Sequence, residues 1–381
     1  MFPRHQIYLD NAATTAMDPA FAQEMSRIAT EAYGNASSRH DLGLEAEQIM
    51  RKARQQVADA VGAEPEEVAF TSGATEALAL ALLGIAARES KPGHVLISAI
   101  EHPAVQESAQ LLRDRGHIVE EVPVCMEDAR LDLETLTSMV RQETFLLALM
   151  HVNNELGAIQ PVTRAARIVK RAAPRCVVLC DVVQSLGLLP VDMGQLGADI
   201  IAASAHKLHG PKGVGCLVIR GRAPAALYGG GGQERGLRPG TENVPGIAAF
   251  GMACLKGKGD PETLRRWTRA LGASLEDRLG AKMLCDGPKR APHIIAVQIP
   301  GVRAEVAVNA LAREGIYVSS GSACHGRHSL KSTVLAALGL EGADDVIRIS
   351  LGRFNNEDEV SHASSAMPRL LEEVRRKRKG P

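Results

Sequence analysis

Between residues 67 and 220, short apolar runs alternate with longer helix-patterned runs, and this alternation restricts the fold more than any other feature. Strands are expected at Glu67–Thr71, His94–Ala99, Thr144–His151, Cys176–Asp181, Ile200–Ser204 and Gly215–Arg220. Between them Thr75–Ser90, Pro103–Arg115, Leu131–Arg141 and Val162–Ala173 carry apolar residues at helical spacing. A strand covered on both faces is apolar throughout, and successive parallel strands need a crossover that a helix can supply. The sequence therefore predicts an α/β fold with a mostly parallel central sheet wrapped by helices. Ligands of such sheets sit beyond the carboxyl ends of the strands. The polar residues that follow each strand are thus the first candidates for a site.

The pattern changes near residue 255, where Leu255-Lys256-Gly257-Lys258-Gly259-Asp260-Pro261 has the composition of a boundary. Beyond it the sequence predicts a helix from Glu262 to Leu279, strands at Ile294–Gln298, Tyr317–Ser319 and Val346–Ser350, and a helix at Ala304–Glu314. A final helix runs from about Glu357 to Arg376. This is a smaller α+β unit, and 381 residues suit two domains. The expected division is a large domain over 15–255 and a small domain made of 1–14 and 256–381. Lys+Arg and Asp+Glu balance at 44 each, which gives no reason to expect a nucleic acid or other polyanion as partner. Met1 to Asp10 lacks the apolar segment of a signal peptide, and no apolar run approaches membrane-spanning length. The seven cysteines include no Cys-x-x-Cys pair and fit a reducing compartment, so a cytoplasmic location is expected. The basic Arg375-Arg376-Lys377-Arg378-Lys379 is read as a solvated helix end that complements the helix dipole.

Ser204-Ala205-His206-Lys207 follows one apolar strand and precedes the turn Gly210-Pro211-Lys212-Gly213. A lysine there, beside a serine and a histidine, suits Schiff-base formation with pyridoxal phosphate (PLP), which also needs donors for its phosphate. Asp181-Val182-Val183-Gln184 ends a neighbouring strand, and a carboxylate there can pair with a pyridinium nitrogen. Phe70-Thr71-Ser72-Gly73-Ala74-Thr75 is a strand, a small-residue turn and a helix start. It serves either as a phosphate cradle or as a plain N-cap. Glu101-His102-Pro103 and His151-Val152-Asn153-Asn154-Glu155 also follow strands. His102 can stack on a ring and exchange protons or merely cap a helix, and Asn154 is a site residue only by its address. The glycine-rich segment 229–243 suits an ordered loop near a site or subunit interface more than a linker. Ser319 to His328 is a small-residue loop that holds Cys324 among histidines and Arg327, a setting that raises the thiolate population. Arg348-Ile349-Ser350-Leu351-Gly352-Arg353-Phe354 ends a strand and offers an arginine fork to a carboxylate.

In this order the segments resemble the cysteine desulfurases of the NifS/IscS type, within the fold-type I (aspartate aminotransferase-like) PLP enzymes. The similarity runs almost end to end and includes Tyr8-Leu9-Asp10-Asn11-Ala12-Ala13-Thr14-Thr15. It implies that Lys207 carries the cofactor and later moves protons. His102 would stack on the ring, Asp181 would hold the pyridinium proton and Gln184 would bond the ring hydroxyl. Asn154 would lie beside ring and substrate. Ala74, Thr75, Ser204 and His206 would surround the phosphate, with Thr241 reaching it from the other subunit of a homodimer. Arg353 would grip the carboxylate of the L-cysteine substrate. Cys324 would attack the substrate sulfur, leaving a persulfide and L-alanine, and would pass the sulfur to an acceptor such as an iron–sulfur scaffold protein. No metal is implied. Selenocysteine lyase and a non-catalytic scaffold are the competing readings. The intact Lys207, Asp181, His102 and Cys324 argue against the scaffold. Two places depart from the family pattern: the bulky Val182 after the aspartate, and Ser329-Leu330-Lys331-Ser332-Thr333 after the nucleophile.

Overall fold

A computed structural model describes residues 6–320, 332–340 and 343–378. In chain order the strands are β1 (Ile7–Tyr8), β2 (Val68–Thr71), β3 (His94–Ser98), β4 (Ile118–Val122), β5 (Thr144–Met150), β6 (Val177–Asp181), β7 (Ile200–Ser204), β8 (Gly215–Ile219), β9 (Lys282–Leu284), β10 (Ile294–Gln298), β11 (Ile316–Tyr317), β12 (Ser319–Ser320) and β13 (Val346–Ser350). Seven of them form one sheet in the order β2-β8-β7-β6-β5-β3-β4. Only β8 runs antiparallel to its neighbours, as expected of a mostly parallel sheet. Every residue of β5, β6 and β7 is buried, which is why those strands read as unbroken apolar runs.

Alternate residues of each central strand serve two different cores. Leu147, Leu149, Val178 and Ile201 pack with the helices Pro19–Glu31, Asp41–Val61, Val162–Ala172 and Val244–Lys256 through Phe21, Val57, Val169 and Phe250. Leu146, Ala148, Leu179 and Ala202 face the helices Ala74–Ala86 and Pro103–Asp114 through Leu78, Leu82, Val105 and Leu112. The edge strand β4 escaped the sequence pattern for a physical reason. Its residues Ile-Val-Glu-Glu-Val bury only Val122, because a strand with one neighbour and a wet face has no need of an apolar run.

The second sheet, β12-β13-β10-β9, is antiparallel throughout. Its core joins Ile7 and Leu9 at the chain start to Leu264, Leu271, Ile295, Leu311, Ile349 and Met367. The single strand expected at Tyr317–Ser319 is two. Ile316–Tyr317 pairs with β1, whereas Ser319–Ser320 pairs with β13, so the chain changes partner at Val318. The short β9 was likewise unmarked in the sequence. No helix among the described residues is long and apolar enough to cross a membrane.

Gly215 sets the spacing at the functional end of the large sheet. It pairs with both Thr71 and Ser204, and a Cβ there would lie 2.6 Å from the Ala203 carbonyl oxygen and 2.8 Å from the Gly73 backbone. Gly215→Ala is therefore expected to force these strand ends apart and cost about 1–3 kcal/mol, the range for overpacking. Urea unfolding measures this, and an unchanged midpoint would show that the glycine does not limit the spacing.

Candidate active site

The strand ends open into one cavity of about 580 Å³, a volume that suits a small molecule. Ala74, Thr75, His102, Asn154, Asp181, Gln184, Ser204, His206 and Lys207 all line it. The sheet register brings them together, since Met150 lies opposite Asp181 and Asp181 opposite Ala202. At one end the helix Ala74–Ala86 presents its N-terminus, with Gly73 as an N-cap that offers no side-chain bond. Ser204, His206 and Lys212 share the wall there. Free N–H groups, hydroxyls and a cation make an anion cradle.

Lys207 ends a 3-10 turn, Ala205–Lys207, that follows β7. Its ammonium donates to the carbonyl oxygens of Ala12 and Ala13, the latter at 2.7 Å. Gln184 Nε2 donates to Ala12 at 3.0 Å, and His206 Nδ1 lies 3.1 Å from the Thr14 hydroxyl. The segment Ala12–Thr14 is thus a wall of the site. The sequence showed it as part of a motif but not in this role.

Asp181 Oδ1 accepts the Val183 N–H at 2.8 Å, which turns the carboxylate in a fixed direction. Burial raises its pKa to about 6, against the opposing pull of that N–H, Lys207 and Lys258. A buried carboxylate in a cavity wall calls for a cation, and a pyridinium nitrogen is one. His102 is the N-cap of the helix Pro103–Asp114, and its Nδ1 accepts the Ala104 N–H at 3.1 Å. The neutral ring therefore carries its proton on Nε2 and cannot swing freely. Burial lowers the pKa of His206 to about 4, with Lys207 and Lys212 adding to the effect, so the ring is neutral at pH 7. Of the paired asparagines, Asn153 builds the turn, its Oδ1 accepting the N–H groups of Glu155 and Leu156, and Asn154 reaches the cavity. The bulky Val182 is accommodated in the core behind the sheet.

Two of the expected site residues, Thr241 and Arg353, are not in this wall. Cys324 lies outside the described residues. Thr241 is exposed and absent from the lining of this cavity. Arg353 is also absent from it. Its guanidinium donates to Asp18 Oδ2 at 2.8 Å and to the Gly257 carbonyl at 2.9 Å, and its backbone N–H to His209 Nε2 at 3.1 Å. In this structure Arg353 thus ties the helix Pro19–Glu31 to the segment at Gly257. The arginine that reaches the Asn154 side is Arg348, 1% exposed, which donates to the Asn154 carbonyl at 2.8 Å and to Asp10 at 2.7 Å. Its Nε is buried and has no hydrogen-bond partner among the described residues. A charged residue inside the apolar run Val346-Ile347-Arg348-Ile349 was the signal that could have found it.

A lysine, a fixed carboxylate, a histidine and an anion cradle line one cavity, a set that suits a phosphorylated aromatic aldehyde. PLP fits these donors and acceptors. The aminotransferase class-V family model matches residues 7–362. Cysteine desulfurase IscS 1 of Archaeoglobus fulgidus is 36% identical over 97% of both chains. Cysteine desulfurase IscS of Salmonella schwarzengrund is 38% identical over 97% of this chain and 93% of its own. A solved NifS-like protein superposes with a TM-score of 0.90 at 36% identity, covering 97% of this chain and all of the other. A structure described as SspA in complex with cysteine gives 0.82 at 27% identity, over 92% of this chain and 100% of its own. The chain belongs to the class-V aminotransferases and, within them, to the PLP-dependent cysteine desulfurases.

Glu155, next to Asn154, accepts the Ser332 hydroxyl at 2.7 Å, and Ser332 caps the helix Thr333–Ala337. Burial raises the Glu155 pKa from its ordinary 4.5 to about 7, although Ser332 and Arg348 pull it down. The raised value means that the folded state favours the protonated form. Stability is therefore full below the unfolded pKa and falls as pH rises through the folded one. Glu155→Gln keeps an acceptor for Ser332 and removes the titration. Its stability relative to wild type should improve between pH 4.5 and 8 by up to roughly 3 kcal/mol. Urea melts at several pH values test this, and a pH-independent difference would assign Glu155 an ordinary titration.

Proposed function

We propose that this chain transfers sulfur from L-cysteine to Cys324, releasing L-alanine and leaving a Cys324 persulfide. The substrate C–S bond breaks, an S–S bond forms to the thiolate, and a proton returns to carbon. The observation that carries this reading is the convergence of Lys207, Asp181 and His102 on one cavity. The cofactor supplies an aldehyde for the substrate amine and an electron sink for a carbanion at Cα. Asp181 holds a proton at the ring nitrogen, and His102 faces the ring. Gln184 has one amide hydrogen left for a ring hydroxyl after its bond to Ala12. Thr75, Ser204, His206 and the N–H groups at Ala74 hold the phosphate. Lys207 holds and moves a proton at the substrate Cα. Arg353, which follows β13, takes the substrate carboxylate with its planar guanidinium.

The other six cysteines support Cys324 as the nucleophile, because sulfur attack needs a thiolate. Burial raises the thiol pKa of Cys176 and Cys216 to about 12 and of Cys285 to about 11, and also pushes up Cys125, Cys180 and Cys254. The same reading takes the protein as a cytoplasmic homodimer in which exposed Thr241 completes the neighbouring phosphate site. A large unit over 15–255 holds the cofactor, and a small unit over 1–14 and 256–381 carries the nucleophile. The persulfide then passes to an acceptor protein such as an iron–sulfur scaffold.

Cys324→Ala should bind PLP and still change its absorbance on addition of L-cysteine, yet release no alanine. Intact-mass analysis of wild type should show one added sulfur on the peptide that contains Cys324. Sulfur on Cys125 or Cys285 instead, or full alanine release by the variant, would sink the assignment.

Arg353→Lys should lower kcat/KM for L-cysteine by an amount on the order of 1.5–3 kcal/mol, with PLP still bound, because a point charge cannot reproduce a planar fork. Steady-state kinetics measure this, and an unchanged kcat with an unchanged KM would remove Arg353 from substrate binding.

A further inference from the structure

Lys258 sits in the glycine-flanked boundary between the two units, where a solvated lysine is the ordinary expectation. It is 3% exposed. Its ammonium donates to the carbonyl oxygens of Val183 at 2.9 Å and Gln184 at 2.7 Å, and its backbone N–H to the Gly187 carbonyl at 2.8 Å. It therefore lies beneath the turn that presents both Asp181 and Gln184 to the cavity.

The chain geometry at this point is demanding. Gly257 and Gly187 cross so closely that a Cβ on Gly257 would lie 2.5 Å from the Gly187 carbonyl oxygen. Gly257 also has φ +65°, the left-handed region. This crossing brings a lysine from the linker under the sheet ends. A buried ammonium is costly unless it is paired and hydrogen-bonded, so its place needs a compensating anion. Burial pulls the Lys258 pKa well below the ordinary lysine value, with Lys207 adding to the pull, and Asp181 is the anion that opposes it; Lys258 in turn opposes the upward push of burial on Asp181.

We infer that Lys258 is a positioning residue for the cofactor: its ammonium fixes the turn from Asp181 to Gln184 and places a cation behind Asp181, favouring the ionised carboxylate that a pyridinium nitrogen needs. This rests on the PLP reading above. The charge of Lys207 also favours the Asp181 anion, but its amine is the group that reacts with the cofactor, whereas Lys258 points to the backbone carbonyls of Val183 and Gln184. The remaining groups around the pair leave that task to Lys258. Glu101, whose Oε1 accepts the Met150 N–H at 2.8 Å, is pushed toward its neutral form by burial and, less, by Asp181 itself. The Cys180 thiol is likewise held neutral. His293 lies 3.4 Å from Gln184 Oε1 and is kept neutral by burial and by Lys258, Arg290, Arg348 and Lys207.

The sign of the effect follows. Removing the Lys258 cation raises the pH at which Asp181 takes up a proton, so cofactor binding should fail at a higher pH. The test uses apoprotein titrated with PLP between pH 5 and 8, with affinity followed by absorbance and no substrate present. Lys258→Met and Lys258→Gln should weaken PLP binding at least fivefold at pH 6 and raise the pH midpoint of binding by half a pH unit or more. Gln keeps an N–H donor for the carbonyls, so a shift shared by Met and Gln reports charge and not packing. Lys258→Arg should keep the wild-type midpoint, and it alone is read if the neutral variants do not fold. A displaced midpoint in Lys258→Arg, or wild-type midpoints in Met and Gln, would overturn the inference. If wild type itself binds no PLP, the cofactor reading fails instead.

Discussion

The register of three parallel strands is the constraint on which the site depends. Met150, Asp181 and Ala202 lie side by side across β5, β6 and β7. Side chains alternate along a strand with a period of two, so a slip of one residue would turn Asp181 from the cavity into a core. The slip is opposed by leucines, valines and isoleucines that would all exchange faces with it, among them Leu146 and Leu147, Val178 and Leu179. The two cores around the sheet thus set the direction of one carboxylate. The functional end of the sheet carries polar groups that burial makes expensive, and its apolar middle supplies the stability that tolerates them.

Much of this was legible in the sequence where one physical rule dominated. Buried central strands must be apolar throughout, and β5, β6 and β7 appear where that rule places them. The polar residues after them were legible as site candidates because irregular backbone beyond parallel strands is where ligands bind. The exposed edge strand β4 and the division of β11 from β12 obey pairing choices made by distant parts of the chain, and local pattern holds no record of these. The same is true of Ala12–Thr14, whose part in the site comes from backbone carbonyls and not from side chains.

The arginines illustrate a second limit. Arg348 and Arg353 stand five positions apart on one segment, and both are plausible forks from sequence. Their difference lies in their partners. Asp18, which also caps the helix Pro19–Glu31, takes the Arg353 guanidinium, and the Phe21 and Phe354 rings flank it. Arg348 is taken inward by β13 and meets the Asn154 backbone. Pairing at long range decided the partners of each. Lys258 is the converse case, a residue in a segment with every mark of an exposed linker that the Gly187–Gly257 crossing draws into the interior.

The attachment of the chain start bears on the order of assembly during synthesis. Ile7 pairs with Ile316, and Asp10 bridges to Ser350, so the first strand emerges from the ribosome long before its partners exist. The carbonyls of Ala12 and Ala13 that receive the Lys207 ammonium are carried on that same segment. The large sheet can form from residues 68–219 while this segment is still unanchored, since all seven of its strands lie in that span. Long-range pairing of this kind closes late. The wall beside the reactive lysine is therefore held from two sides, by Gln184 and His206 of the large sheet's span and, later in synthesis, by the strands at 316–317 and 346–350.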